Sequence, residues 1–335
     1  MNRDMLHPLK LRPVYHQKIW GGRNLARLLG KDLPANVNVG ESWEVADESV
    51  VVAGPLAGRS LIELTRSYGL SLVGSLAAEK AAPAFPLLIK FIDAQDRLSV
   101  QVHPDDDFAR WAEGAASGKT EMWYVLDAVP GAEIIHGIRT EYLTAADLAR
   151  LARDGSLVDH LYRVAARAGD VIFIPAGTVH AMGEGLVVCE VQQNCDLTYR
   201  LYDWNRLTAE GEPRELHVER ALAVSHPGPR EHKIPPLVLQ EAYGRRRLLV
   251  ACRYFAVELL EMTAPLLSRT DGRSFVALST LAGGGAIQWS GGSLPVRKGE
   301  SLVIPAALGE YELRPAGEWR AVLARIPDLT TDVVQ

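Results

Sequence analysis

The sequence predicts a mainly β fold, arranged as two β-barrels with a few short helices, of which the second barrel is degenerate. Many short candidate strands are separated by turn residues, a spacing typical of all-β sandwiches and barrels. The chain shows no alternation of strands with helices and no glycine-rich phosphate loop. A repeat of the pattern G-x5-P, GDVIFIP at 169–175 and GESLVIP at 299–305, indicates two copies of one barrel.

The candidate strands of the first barrel lie between residues 86 and 203. They are PLLIKFID (86–93), RLSVQVH (97–103), TEMWYVL (120–126), AEIIHGI (132–138), DVIFIP (170–175), GLVVCEVQQ (185–193) and DLTYRLYD (196–203). Further strands are expected in RRRLLVACRYFAVELLEM, SFVALSTLAGG, SLVIP and WRAVLARI. Three helices are expected: RNLARLLG up to Gly30, SLIELTRSYG with a Ser60–Glu63 capping box and Gly69 as its end, and TAADLARLARDG at 144–155.

A proline-rich segment divides the chain. HPGPREHKIPPL, which starts at residue 226, contains four prolines and has the composition of a linker. The sequence therefore predicts an N-terminal domain at 1–226, a linker at 227–240 and a C-terminal domain at 241–335.

Charge and cysteine content exclude several classes of function. The 335 residues carry a net charge of −5, so we expect neither nucleic acid nor a membrane as partner. The N-terminus lacks the apolar core of a secretory signal, and no apolar run approaches membrane-spanning length. Three cysteines in such a chain indicate reduced thiols and a cytoplasmic location. Nothing in the sequence indicates the oligomeric state.

Polar and apolar residues alternate in the strand at 97–103. Side chains of an extended strand point to opposite faces in turn. Val100 and Val102 therefore face a core, whereas Ser99, Gln101 and His103 share the other face. Because buried polar groups need partners, this second face should line a wet or metal-containing cavity.

Two further donors follow on later strands. Glu121 lies in GKTEMWYVL, and His180 lies just past a Pro–Gly turn that bends the chain back towards the barrel mouth. Two imidazoles, a carboxylate and an amide oxygen together suit a borderline divalent ion such as zinc.

These segments match both cupin signatures. The second is G-x5-P-x-G-x2-H over 169–180, and the first is altered, with Q-x-H at 101–103 where many cupins have H-x-H. That glutamine variant resembles the type I mannose-6-phosphate isomerases. Their other hallmarks occur here as KIWGG (18–22), GESWEV (40–45), PLLIKFIDA (86–94), SVQVHPDD, GKTEMWY, IPAGTVHA and EVQQNCDLTYRLYDW (190–204). The resemblance covers residues 10–220, and the length is similar to that of the short bacterial branch.

The resemblance implies two cupin (jelly-roll) barrels and one zinc ion per chain. The implied ligands are Gln101, His103, Glu121 and His180. It further implies an aldose–ketose isomerase that interconverts mannose 6-phosphate and fructose 6-phosphate through a cis-enediol, with a small phosphosugar as its partner.

Charged residues on neighbouring strands are candidates for binding and catalysis. Arg200 is interpreted either as half of a structural pair with Asp196 or Glu190, or as an electrophile or anion clamp, the role that the resemblance favours. Lys90 and Lys119 match family lysines around the phosphosugar. The substrate-binding candidates are therefore Lys90, Lys119 and Arg200. The catalytic candidates are Arg200, Glu190, Lys119 and Asp196, and the base stays open among Glu190, Asp196, Lys119 and a metal-bound hydroxide.

Other functions remain open from the residues alone. A non-catalytic sugar-binding cupin and an isomerase of a related sugar are the alternatives, and a metal dioxygenase is disfavoured by Gln101 in a ligand position. The second barrel is expected to be metal-free. At its copy of the turn, Ala307 replaces the glycine and Glu310 stands where His180 would be.

Overall fold

The computed structural model describes residues 5–77, 84–139, 143–208, 211–226 and 233–330. The helices are α1 (Asn24–Leu29), α2 (Leu61–Tyr68), α3 (Leu70–Val73), α4 (Asp106–Glu113), α5 (Ala145–Asp154) and α6 (Val218–Val224). The strands up to residue 202 are β1 (Leu9–Arg12), β2 (Val14–Gly22), β3 (Val39–Val45), β4 (Val50–Val51), β5 (Leu87–Ala94), β6 (Val100–Val102), β7 (Glu121–Ala128), β8 (Glu133–Ile138), β9 (Leu161–Ala165), β10 (Val171–Ile174), β11 (His180–Met182), β12 (Leu186–Gln193) and β13 (Tyr199–Tyr202). The later strands are β14 (Leu237–Glu241), β15 (Gly244–Ala251), β16 (Ala256–Met262), β17 (Leu266–Arg269), β18 (Val276–Trp289), β19 (Gly292–Arg297), β20 (Ser301–Ile304) and β21 (Glu310–Arg325).

The three predicted helices are confirmed, together with the residues that begin and end them. In α2 the Ser60 hydroxyl accepts from the Glu63 amide while the Glu63 carboxylate accepts from the Ser60 amide. Thr144 and Asp147 form the same reciprocal cap on α5. Gly30 ends α1 in the left-handed conformation (φ 67°), where a residue without Cβ is favoured.

The first barrel consists of two antiparallel sheets that face each other. A six-stranded sheet has the order β10-β7-β12-β5-β3-β2, and a five-stranded sheet has the order β13-β6-β11-β8-β9. Apolar side chains on the outer face of the five-stranded sheet, among them Val100 and Val102, pack against α5 and α6. The outer face of the six-stranded sheet, through Phe91 and Cys189, packs against Phe255 of the C-terminal half.

The interior of this barrel changes from apolar to polar along each strand. Trp123 on β7, Ile92 on β5 and Val188 on β12 join a buried apolar cluster between the two sheets. Two residues away on the same strand faces, Glu121, Lys90 and Glu190 replace them and line a cavity. The apolar end therefore closes the barrel, and the polar end forms the site.

The second barrel belongs to a ten-stranded sheet with the path β14-β15-β16-β21-β18-β20-β1-β4, in which β17 also pairs with β21 and β19 with β18. Two strands from the N-terminal part, β1 and β4, complete this sheet, because β1 pairs with β20 on one side and with β4 on the other. A separate apolar cluster that includes Leu260, Ile287 and Trp319 fills it.

The internal repeat has the same backbone form in both copies. Gly169 and Gly299 both have positive φ (92° and 79°) ahead of β10 and β20. Each strand is followed by a proline whose carbonyl accepts from the amide three residues on, at 3.1 Å in both cases. The mainly β fold with two barrels is therefore confirmed.

The predicted linker lies partly outside the described residues, at 227–232. Its later residues from Leu237 belong to β14, which pairs with β15. The domain limits at 226 and 241 stay a prediction. Within the described residues, the structure has no helix that is both long and apolar enough to span a membrane.

Candidate active site and metal centre

Three potential metal ligands converge inside the first barrel. His103 follows β6, Glu121 begins β7 and His180 begins β11, and one ligand atom from each lies within 4.8 Å of the others. The Glu121 carboxylate lies between the rings, with Oε1 3.2 Å from Nε2 of His180 and Oε2 3.6 Å from Nε2 of His103. All three side chains are buried. The turn before β11 places His180 here, as the Pro–Gly bend predicted.

The hydrogen bonds of both rings fix which nitrogen faces the centre. Nδ1 of His103 donates to the Leu197 carbonyl and Nδ1 of His180 to the Thr178 carbonyl, each at 2.8 Å. Because a carbonyl only accepts, both Nδ1 atoms carry the proton. Burial, followed by the charge of Lys119, lowers the pKa of His103 well below its usual value, so this ring is neutral.

Both Nε2 atoms are buried without a hydrogen-bond partner, and each faces a carboxylate oxygen. In the neutral ring of His103 this places a lone pair against a carboxylate, which is repulsive unless a cation lies between the two donors. Imidazoles oriented by carbonyls through Nδ1 and aimed by Nε2 are the usual form of metal-binding histidines. The residues therefore fit a divalent metal.

Gln101, the fourth predicted ligand, lines the cavity next to these residues. It lies in register with His180 on one neighbouring strand and with Arg200 on the other. The remaining histidine of this strand group, His136, is also opposite His180. Its Nε2, however, donates to the Phe173 carbonyl at 3.0 Å, so this nitrogen carries a proton and is not a metal ligand.

The cavity is strongly charged and has a volume of about 260 Å³. Lys90 lies almost fully buried in its wall, with Nζ 3.3 Å from Asp196, 3.5 Å from Glu190 and 3.8 Å from Glu41. Burial alone would lower the pKa of Lys90, but these carboxylates raise it instead. Lys90 therefore faces the cavity as a permanent cation. The structural alternative for Arg200, a pair with Asp196 or Glu190, is not found among the described residues, because Lys90 is the cation beside both carboxylates.

Glu190 and Lys119 border the metal centre. Oε2 of Glu190 accepts from Nε1 of Trp123 at 2.8 Å, whereas its buried Oε1 has no hydrogen-bond donor. Burial, with a contribution from Glu121, raises the pKa of Glu190. Nζ of Lys119 lies 3.0 Å from Oε2 of Glu121 and, in spite of burial, this carboxylate raises the pKa of Lys119.

A second group of cations lies at the Arg200 wall of the cavity. Nη1 of Arg200 donates to the Glu215 carbonyl at 2.8 Å, and its buried Nε has no partner among the described residues. Arg214 also lines the cavity and forms two hydrogen bonds with Asp203, which accepts from Arg206 as well. Burial and the neighbouring charge of Arg214 together lower the pKa of Arg200.

Comparison with known proteins decides the family. Mannose-6-phosphate isomerase ManA of Bacillus subtilis (strain 168) is 36% identical over 317 residues, which are 93% of this chain and 97% of the relative. The chain belongs to the type I mannose-6-phosphate isomerase family. A family model described as phosphomannose isomerase type I, catalytic domain, matches residues 8–122, and one described as mannose-6-phosphate isomerase, cupin domain, matches 246–324. The resemblance seen in the sequence is confirmed, and with it an enzyme of this isomerase class.

Other type I mannose-6-phosphate isomerases agree over the same length. The enzyme of Streptococcus mutans is 34% identical over 312 residues, covering 92% of this chain and 95% of the relative. The crystal structure of mannose 6-phosphate isomerase from Bacillus subtilis superimposes with a TM-score of 0.84 at 30% identity, covering 95% and 99% of the two chains.

Several residues that line the cavity of this type I isomerase were not predicted from the sequence. Lys18, Trp20 and Glu41 come from β2 and β3, and Arg214 from the segment after β13. Lys18 and Trp20 lie in KIWGG and Glu41 in GESWEV, so alternation of side chains along these two motifs was a usable signal. Arg214 had no such signal, because it lies outside the strands.

Proposed function

We propose that this enzyme interconverts mannose 6-phosphate and fructose 6-phosphate in a zinc-dependent reaction through a cis-enediol. The observation that carries the proposal is the pair of buried imidazole nitrogens that have no hydrogen-bond partner and face the Glu121 carboxylate beside a charged cavity. The cytoplasm is proposed as its location.

The metal ligands proposed are Gln101, His103, Glu121 and His180. Their mixture of nitrogen and oxygen donors suits zinc, one ion per chain. Bound there, zinc would supply Lewis acidity that polarises the sugar oxygens at C1 and C2.

Glu190 is the proposed base that transfers the proton between C1 and C2. A raised pKa brings a carboxylate towards the operating pH, and Oε1 is the oxygen that has no donor of its own. Lys119 is supported as a charge donor to the developing enediolate rather than as a base, because its partner Glu121 keeps it protonated. Asp196, whose side chain is 56% exposed, retains its place as the alternative base at the cavity mouth.

The phosphate end of the substrate is proposed to bind between Arg200 and Arg214. Two guanidinium groups share this wall, one with a buried, unpaired Nε–H, and a dianionic phosphate would satisfy both. Lys90 is already surrounded by three carboxylates and is the weaker candidate.

The decisive test is a coupled isomerase assay on mannose 6-phosphate, before and after chelation and after re-addition of zinc. Activity should disappear with the metal and return with it. Free mannose and an epimeric aldose 6-phosphate run in parallel distinguish an isomerase of a related sugar. A protein that binds mannose 6-phosphate without turnover would instead be the sugar-binding cupin.

The metal assignment has a matched pair of variants. His180→Ala should abolish both bound zinc, measured by elemental analysis, and turnover. His136→Gln changes the residue directly opposite in the sheet, whose Nε2 is occupied by the Phe173 carbonyl, and should keep the zinc. Full zinc content in His180→Ala would disprove the site.

A further inference from the structure

The Asp106 carboxylate joins the two halves of the molecule next to the active site. Oδ1 accepts from the Gly118 amide at 2.9 Å and from the Gln193 side chain at 2.8 Å, both in the first barrel. Oδ2 accepts from the Tyr254 hydroxyl at 3.1 Å and from Arg253 at 3.2 Å, both in the C-terminal half. One half-buried carboxylate thus has four donors from three parts of the chain.

These contacts do not cap the helix in which Asp106 lies. Helix α4 begins at Asp106, but its N-terminal cap is Asp105, whose carboxylate accepts from the Phe108 amide at 2.8 Å. Burial would raise the pKa of Asp106, yet the hydrogen bonds from Gly118, Gln193 and Tyr254 hold it below its usual value. The carboxylate is therefore ionised and committed to contacts outside its own helix.

The segment that Asp106 holds contains Lys119. Three consecutive amides are fixed there: Gly118 donates to Asp106, Lys119 to the Pro104 carbonyl at 2.9 Å, and Thr120 to Oε1 of Gln193 at 2.9 Å. Gln193 is itself bonded to Asp106. Residue 118 must also be small, because a Cβ would lie 2.3 Å from the Asp105 carbonyl carbon. The backbone of Lys119 therefore has one position, and that position depends on Asp106.

A lysine ammonium on a four-carbon stem is placed only as well as its backbone is placed. Nζ of Lys119 lies 3.0 Å from Glu121, inside the cavity. We propose that Asp106 is a positioning residue for Lys119, and that Tyr254 and Arg253 of the C-terminal half keep the Asp106 carboxylate in its orientation. This inference rests on the proposed function. It assigns the C-terminal half of the protein a part in catalysis, through a hydrogen-bonded chain from Tyr254 to the active-site lysine.

The test uses Asp106→Asn and Tyr254→Phe in the full-length zinc enzyme. Asp107→Asn is the control, because Asp107 is the neighbouring acid, is almost fully exposed and contacts Arg110 on the surface. A misplacement of about 1 Å costs on the order of a hundredfold in rate. We expect kcat to fall about 10- to 100-fold in Asp106→Asn and about 3- to 10-fold in Tyr254→Phe. KM and zinc content should stay within about twofold of wild type.

Two readouts separate positioning from a merely structural role. Hydrogen–deuterium exchange of the peptide spanning residues 115–121 should accelerate in both variants and not in Asp107→Asn. In a Lys119→Arg background, Tyr254→Phe should cause little further loss of kcat, since both changes act on one interaction.

Each failure has its own signature. Wild-type protein without isomerase activity would overturn the proposed function, whatever the variants do. An active wild type with unchanged kcat in both variants would overturn the positioning role, as would a loss that is fully additive with Lys119→Arg. If Asp106→Asn does not fold, Tyr254→Phe, which removes one hydroxyl and keeps the ring, decides the matter alone.

Discussion

Replacing Lys90 by methionine should destabilise the protein far more than it weakens substrate binding. The change removes the cation from Glu41, Glu190 and Asp196 but keeps an apolar stem of similar length. Asp196 is 56% exposed, so water screens its interaction with Lys90 and this ion pair contributes little to stability. Glu41 keeps Lys18 at 3.1 Å and the Trp43 N–H at 2.7 Å. Glu190, about 4% exposed, loses its ion-pair partner and is left as the uncompensated buried charge. Breaking such a buried pair costs about 3–5 kcal/mol.

The loss of unfolding free energy in Lys90→Met has an upper bound that depends on pH. At pH 7 a glutamate with an ordinary pKa of about 4.3 can be neutralised for roughly 3.7 kcal/mol, at 1.36 kcal/mol per pH unit. In the variant the folded-state pKa of a remaining glutamate is raised, so the penalty grows as pH rises above the unfolded value. The deficit should therefore be smaller by about 2 kcal/mol at pH 5.5 than at pH 7.

Urea denaturation followed by tryptophan fluorescence measures this deficit. Lys233→Met is the control, because Lys233 pairs with Asp170 at the surface and should cost less than about 1 kcal/mol. A Lys90→Met enzyme that loses under about 1 kcal/mol, yet shows a KM for mannose 6-phosphate raised more than about tenfold, would refute this reasoning. It would assign Lys90 to the phosphate.

Three further predictions concern the cavity and its wall. Glu190→Gln should lower kcat by about a hundredfold or more with zinc retained, because the amide cannot accept the C–H proton; steady-state kinetics with elemental analysis checks this. Arg214→Ala should raise KM for mannose 6-phosphate at least about tenfold and leave kcat within about threefold, whereas a selective fall in kcat would exclude phosphate binding. Asp203→Asn should lower the free energy of unfolding by roughly 1–3 kcal/mol at pH 7. Burial would raise the pKa of Asp203, but hydrogen bonds from Arg214 and Arg206 lower it. The stabilisation by ionised Asp203 is present above its unfolded-state pKa of about 3.9 and is lost as the pH falls through its lower folded-state pKa. The unfolding free energies of wild type and variant, measured in urea at decreasing pH, should therefore become equal in acid.

Local signals in the sequence predicted the elements that depend on local chemistry. The Ser60–Glu63 capping box and the glycines at 30 and 69 predicted helix ends, and period-two alternation placed Gln101 and His103 on the inner face. Helix α4, which Asp105 caps and Gly114 ends, was not predicted from the sequence. Strand β11 has three residues, too few for a visible alternation.

The cavity wall was predictable only in part, because its charges come from segments that are distant in sequence. Asp196 and Glu190 share the cavity with Lys90, which is 106 and 100 residues away, and no spacing rule relates them. A pair between Arg200 and these acids was the structural alternative to a role of Arg200 in the active site. Register between strands, which sequence alone does not fix, selects Lys90 instead.

The position of β1 in the sheet has a consequence for synthesis on the ribosome. Leu9 is synthesised 294 residues before its strand partner Val303. At about 5–20 residues per second, β1 waits roughly 15–60 s for β20. During that time the apolar side chains of Leu9 and Leu11, buried in the finished protein, lie on a strand that has β4 on one side and no partner on its β20 side. Nascent chains that lack β20 should therefore be held by chaperones through this segment, and the sheet should close only after β20 has been synthesised.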